Sequence, residues 1–229
     1  MKSTDDLIRD LRQCEIATIL TDLPLLKLDF ALEFVKHCGI LDLMIHYIDF
    51  DLSFSSLVQN IPESEFNELS RRLRIVQPKE SMIWRTLISE LAPITKEEGF
   101  IIIDSLNMMQ NLIALETSPP DLAVANHKSS VLISLMQQIA RNRSQTILVL
   151  SMTKSRPKRL NDSSIVWEKE QIGGRMMKLK SDITLLLKEP ITVPSDQALF
   201  PRSTVSNREI LVSTTVGETE PYKVTPETW

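Results

Sequence analysis

Asp104 stands at the end of the chain's most apolar stretch, where a carboxylate could act on a bound ligand. It follows Phe100 to Ile103, four consecutive apolar residues without the alternating polar positions of a half-exposed strand. Such a strand is typical of a parallel sheet covered by helices on both faces. Because ligands bind outside the carboxyl ends of parallel strands, Asp104 is placed at a candidate site. A core strand that ends in a polar turn would give the same pattern.

Lys27 is the second residue whose position suggests chemistry. The β-branched run from Glu15 to Thr21 predicts a strand, and Lys27 to Cys38 has helical spacing, with a break at Pro24 before it and a stop at Gly39. A strand, a short loop and a helix are the layout of a phosphate-binding loop.

The predicted loop, Thr21 to Leu28, lacks what phosphate binding requires. Its backbone N–H groups would have to turn inward in conformations that favour glycine, and a hydroxyl would have to hold magnesium. None of the chain's five glycines lies before this helix, and Leu26 and Leu28 flank Lys27. We therefore expect no ATP or magnesium cofactor, and we expect Lys27 to be a solvated surface residue.

The order of predicted elements favours an α/β fold. Helices and strands alternate early and strands cluster late, which predicts a mostly parallel sheet flanked by helices, with antiparallel strands at the C-terminal edge. Residues 1–229 are expected to form one domain, with an N-terminal helix in 1–13, a basic loop at 154–171 and a Pro-rich loop at 189–207. The other predicted strands are Leu43–Ile48, Leu73–Val76, Thr146–Leu150, Ser164–Glu168, Asp182–Leu187, Glu209–Ser213 and Tyr222–Thr225, and the other helices are Ser53–Gln59, Glu63–Arg72, Glu80–Leu91, Ser105–Leu115, Ala125–Arg141 and Arg175–Leu179.

Composition excludes several classes of protein. The 229 residues, 42% of them apolar, suit one α/β domain. Cys14 and Cys38 are the only cysteines, which excludes a disulfide framework and fits a reducing cytosol. No apolar run approaches a membrane span, and the N-terminus is polar and acidic, so we expect a cytoplasmic protein without membrane contact. The three histidines lack ligand spacing, so no metal site is predicted.

Several short motifs, in collinear order, resemble the core domain of the RecA-like recombinases, especially the archaeal RadA branch and its paralogues. The similarity covers roughly residues 12 to 225. The motifs are Tyr47-Ile-Asp49-Phe-Asp51, Ile103-Asp104-Ser105, Gln171-Ile-Gly173-Gly174, Lys180 to Leu187, and Gly217 to Thr225.

The resemblance implies roles for individual residues. Asp104 matches the second ATPase motif, Asp51 lies near the family's water-activating Glu, and Lys27 stands where its phosphate-contacting lysine would be. Gly173 and Gly174 match a structural Gly-Gly segment. The missing glycines and the shorter Asp51 depart from the family, and there is no room for its N-terminal helical domain or filament-forming linker. The resemblance thus implies a RecA-like fold with a degenerate nucleotide site, a pseudo-ATPase.

Positive charge is concentrated between residues 141 and 180. Ten basic and three acidic residues give this window +7, and since the whole chain carries −4, the remainder carries −11. A cluster of this kind predicts sequence-independent, salt-sensitive DNA binding, in the segment where the resemblance places a DNA-contacting loop. The alternative is a solvated loop, with its tryptophan packed against the domain. The candidate DNA-binding residues are Lys154, Arg156, Lys158, Arg159 and Trp167.

Three functions are compatible with these features. The first is a non-catalytic recombinase paralogue that binds single-stranded DNA, a RecA or RadA recombinase, or both, and modulates recombination or repair. The second is a structural pseudo-ATPase subunit of a heteromeric RecA-fold ring without DNA binding. The third is an ATPase similar to KaiC or to the archaellum accessory protein. In each case we expect an oligomer or a hetero-complex.

Overall fold

One sheet of nine strands runs through the part of the chain that the computed structural model describes, which is residues 2–78, 89, 97–116, 121–161, 164–171, 177, 179–188, 210–214 and 221–224. The helices are α1 (Thr4–Leu11), α2 (Pro24–Ile40), α3 (Ser53–Val58), α4 (Glu63–Leu69), α5 (Leu106–Leu115) and α6 (Leu122–Arg143). The strands are β1 (Ile16–Thr21), β2 (Met44–Asp49), β3 (Leu73–Val76), β4 (Gly99–Asp104), β5 (Gln145–Asn161), β6 (Ser164–Gln171), β7 (Ile183–Lys188), β8 (Ile210–Thr214) and β9 (Tyr222–Val224).

The strand order is β3-β2-β4-β5-β1-β7-β8-β9, and β6 pairs with β5 outside this path. Pairs from β3 to β7 along this order are parallel, whereas β7-β8 and β8-β9 are antiparallel. This confirms the predicted fold class, a mostly parallel sheet flanked by helices with an antiparallel edge. None of the helices in the described residues combines the length and apolar composition needed to cross a bilayer.

Helices cover both faces of the sheet, as the apolar residues of β4 predicted. Phe100 packs edge-on against Phe34 of α2, with 5.0 Å between ring centroids, in a core cluster that also contains Ile102. Ile101 and Ile103 alternate with them and lie in a second cluster with α5 and α6. Since β4 is buried on both faces, its carboxyl end is fixed in the middle of the sheet.

Helix α2 begins earlier than predicted and continues through Gly39. Pro24 is its first helical residue, where proline fits because the N–H that it lacks would have no partner within the helix. The predicted loop from Thr21 to Leu28 is therefore wrong, because only Asp22 and Leu23 connect β1 to α2.

Strand β5 also differs from its prediction, because it continues past Ser151 to Asn161. From Thr153 onward its partner is β6, in antiparallel register. Residues 154–171, predicted as a loop, therefore form most of a β-hairpin that extends from the parallel sheet. Several predictions fall wholly or mainly outside the described residues: Gly173 and Gly174, the Pro-rich loop at 189–207, and the helices at 80–91 and 175–179.

Candidate functional site

Three structural elements end or begin at one edge of the sheet and place the predicted site residues together. Asp104 ends β4, and the parallel register sets it beside Asp49, the last residue of β2. Asp51 follows two residues later, and Lys27 lies in the first turn of α2. The structure thus unites Lys27, Asp51 and Asp104, and adds Asp49, which sequence reasoning did not select.

Lys27 is buried, with 4% of its surface exposed. Its ammonium donates a hydrogen bond to Asp51 Oδ2 at 2.9 Å and a second, shorter one to Asp104 Oδ1. Asp104 Oδ2 accepts a hydrogen bond from the Tyr47 hydroxyl at 2.6 Å. The expectation that Lys27 is a solvated surface residue is therefore wrong, because the early start of α2 turns it toward the strand ends.

Burial and charge oppose each other in this cluster. Removal from water raises the pKa of Asp104 to about 6, although Lys27 acts to lower it. Burial acts to lower the pKa of Lys27, but the Asp104 and Asp51 carboxylates outweigh it and raise that pKa. Both members of the pair shift upward because burial dominates at Asp104 and charge dominates at Lys27. The ammonium thus stays protonated beside the carboxylates.

Asp51 and Asp49 differ in how their charges are compensated. Burial acts to raise the pKa of Asp51, but hydrogen bonds from Ser53 and Lys27 lower it overall. At Asp49 burial prevails and raises the pKa, despite the N–H and hydroxyl of Ser55, which lie 2.7 and 2.5 Å from its Oδ2. The side chain of Asp49 is fully buried. Sequence reasoning quoted Asp49 in a motif, but its proximity to Asp104 depends on strand register.

The connection between β1 and α2 offers little to a phosphate group. It contains two residues, whereas a phosphate-binding loop places four residues between its glycines. Pro24 has no N–H, and the Leu23 N–H donates to Thr21 Oγ1 at 3.1 Å. Leu26 is buried in the core cluster. The two acids have therefore taken the place of an anionic ligand for Lys27.

The candidate DNA-binding residues lie in the β5-β6 hairpin, away from this cluster in sequence. The backbone register pairs Lys154 with Glu170 and Arg156 with Glu168, and sets Trp167 opposite Pro157. The side chains of the candidate residues lie outside the described part of the structure. Arg159 pairs with Ile165 and Lys158 with Val166. Two of the four basic positions thus have an acidic residue at the cross-strand position.

A parallel core with an acid-terminated central strand, a helix after β1 and an antiparallel edge is a RecA-like ATPase fold. Among solved structures the chain is similar to the ATPase domain of a RecA-fold helicase, with a TM-score of 0.53 and 13% sequence identity, over 93% of this chain and 81% of that one. At this identity the likeness shows the fold alone. No family model and no curated protein matches the sequence.

Proposed function

We propose that the chain is a non-catalytic paralogue of the RecA-like recombinases, of the archaeal RadA type. It modulates homologous recombination or repair by binding single-stranded DNA, a catalytic recombinase, or both. In this proposal the nucleotide site has become an internal ion-pair cluster that stabilises the fold, and no bound ATP is needed.

The observation that carries the proposal is the pairing of Lys27 with Asp51 and Asp104. A lysine that binds phosphate must present an uncompensated ammonium to the ligand. Here the ammonium is buried and contacts two carboxylates, one of them fully buried. A nucleotide would have to displace these acids and would leave buried charge unpaired, which costs several kcal/mol. The two-residue β1-α2 connection supports the same conclusion.

The β5-β6 hairpin supports the DNA part of the proposal. An extended two-stranded arm can lie along a phosphate backbone, and the window around it carries +7. If Trp167 contacts a base, stacking would add about 1–3 kcal/mol. Because Glu168 and Glu170 lie opposite Arg156 and Lys154, we expect weak binding with a steep dependence on salt.

Single-stranded DNA binding at two salt concentrations tests this part, with a fluorescent oligothymidylate as probe. We expect binding at low salt that is lost at high salt, and a much weaker interaction after alanine replacement of Lys154, Arg156, Lys158 and Arg159. Loss of four phosphate contacts would reduce the salt slope by up to about 3. No binding at low salt, or an unchanged affinity in the variant, would remove DNA from the proposal.

A matched control removes the same charge elsewhere. Replacing four other basic residues by alanine lowers the net charge equally but leaves the hairpin intact, and this variant should retain most of the affinity. Equal losses in both variants would indicate a general charge effect instead of a binding arm. The control residues are Arg9, Arg71, Arg74 and Lys188.

A structural subunit of a heteromeric RecA-fold ring is the second candidate. It is favoured by the pairing of Lys154 and Arg156 with acidic residues, which lowers the charge available for DNA. This candidate predicts that the native protein co-purifies with a related full-length ATPase and that neither the free chain nor the complex binds single-stranded DNA. DNA affinity in the free chain would exclude it.

A further inference from the structure

Asp49, Asp51 and Asp104 bring three carboxylates together, each with an oxygen within 4.8 Å of the others. Asp49 Oδ2 accepts hydrogen bonds from Ser55, but its Oδ1 is buried and has no hydrogen-bond partner among the residues that the structure describes. A buried carboxylate oxygen without a donor is costly, and native proteins rarely leave one unsatisfied. This oxygen indicates a missing positive partner.

The charge of the cluster leads to the same conclusion. Ionised, the three carboxylates carry −3 and Lys27 contributes +1, which leaves −2. The other groups that contact these carboxylates, Tyr47, Ser53 and Ser55, are neutral donors. Buried charge must be balanced by an opposite charge or removed by protonation. One divalent cation would balance the cluster in full.

We propose that Asp49, Asp51 and Asp104 bind one divalent cation of the kind that prefers oxygen ligands, in the absence of any nucleotide. Two oxygens that share an ion lie no further apart than twice the metal–oxygen distance, about 4.2 Å for Mg²⁺ and about 4.6–5.2 Å for Ca²⁺. The separations of up to 4.8 Å therefore suit Ca²⁺ directly and Mg²⁺ or Mn²⁺ after a small contraction.

In the proposed site, Asp49 Oδ1 supplies the vacant lone pairs, while Asp51 and Asp104 each share an oxygen between the cation and their existing partners. Lys27 remains bound to both. The absence of histidine ligands, from which no metal site was predicted, does not apply to a site made of carboxylates. The inference is independent of the proposed function, because neither ATP nor DNA takes part in it.

Metal binding is tested on the full chain after treatment with EDTA and without nucleotide. We expect calorimetric titration with CaCl₂, MgCl₂ or MnCl₂ to show one ion per chain and the melting temperature to rise by several degrees. Mn²⁺ should broaden the amide NMR signals of residues 49–53 and 104–106 before those of 4–11. No binding at millimolar metal, or broadening centred elsewhere, would overturn the proposal.

Asp49→Asn tests the key ligand, because asparagine can still accept from Ser55 but brings no charge. We expect its affinity for the cation to fall at least tenfold, whereas the exposed Asp5→Asn control should bind as the original chain does. Equal affinity in the Asp49 variant and the original chain would contradict the assignment. If the variant does not fold, the Mn²⁺ broadening in the unmodified chain decides the question.

Discussion

The Lys27 ammonium contacts the Asp104 carboxylate inside the protein, where the two side chains expose 5% and 0% of their surface. In a phosphate-binding site the lysine would face a ligand, whereas here it faces the acid that ends the central strand. Since Asp51 holds the same ammonium from the other side, the cluster is closed by the chain's own charges. The stability of the fold should therefore depend on Lys27.

Lys27→Met is expected to lower the free energy of unfolding by about 3–5 kcal/mol, because it leaves buried carboxylates without their cation. Urea unfolding at neutral pH measures this loss. Adding Asp104→Asn should recover part of it, since the amide carries no charge, so the double-mutant cycle should give a favourable coupling between Lys27 and Asp104.

The exposed pair of Arg9 and Asp6 gives a control for that measurement. The Arg9 side chain is 66% exposed, so Arg9→Ala should cost less than about 1 kcal/mol. If Lys27→Met cost no more than this control, the buried cluster would not be a structural element of the fold.

The central strand and its terminal acid could be predicted because their signal is local. Phe100 to Ile103 lack a polar face, and that alone indicates burial on both sides and places Asp104 at a strand end. The collinear motifs then gave the RecA-like fold, which the parallel topology and the likeness to the helicase ATPase domain support.

The environment of Lys27 could not be predicted in the same way. Pro24 breaks a helix in most positions but starts one at its first residue, and the position of that start decides which way Lys27 points. The approach of Asp49 to Asp104 is set by strand register, and the extension of β5 by pairing with β6. Both are contacts between distant segments that local patterns do not encode.

His46→Leu is expected to stabilise the chain in mild acid. His46 is buried, and neither ring nitrogen has a hydrogen-bond partner among the described residues. Burial, with a smaller contribution from Arg74, lowers its pKa to about 4. Because the folded state resists protonation, stability is lost as pH falls from the unfolded pKa of about 6.5 toward 4.

By this linkage the leucine variant should gain about 2 kcal/mol relative to the original chain between pH 8 and pH 5. Chemical unfolding at the two pH values measures the difference. A gain that does not depend on pH would show that His46 titrates normally and that only its packing has changed.

Gly99→Ala and Gly39→Ala should have opposite effects. A Cβ at Gly99 would lie 1.8 Å from the backbone oxygen of Met44, so strands β2 and β4 would have to separate, at a cost above about 3 kcal/mol. At Gly39, inside α2, a Cβ would meet nothing within 4 Å, so alanine should stabilise the helix by about 0.5–1 kcal/mol. Thermal melting of both variants compares them, and a tolerated Gly99→Ala would argue against this β2-β4 register.

Calorimetric titration of the purified chain with ATP and MgCl₂ tests most directly whether the nucleotide site is replaced by an internal ion pair, with MgCl₂ alone as the reference titration. We predict that ATP adds no heat of binding beyond the metal reference up to millimolar concentration, and that no ATP is hydrolysed. Saturable binding of one ATP per chain that is lost in a folded Lys27→Met variant, or hydrolysis that Asp104→Ala abolishes, would contradict the account.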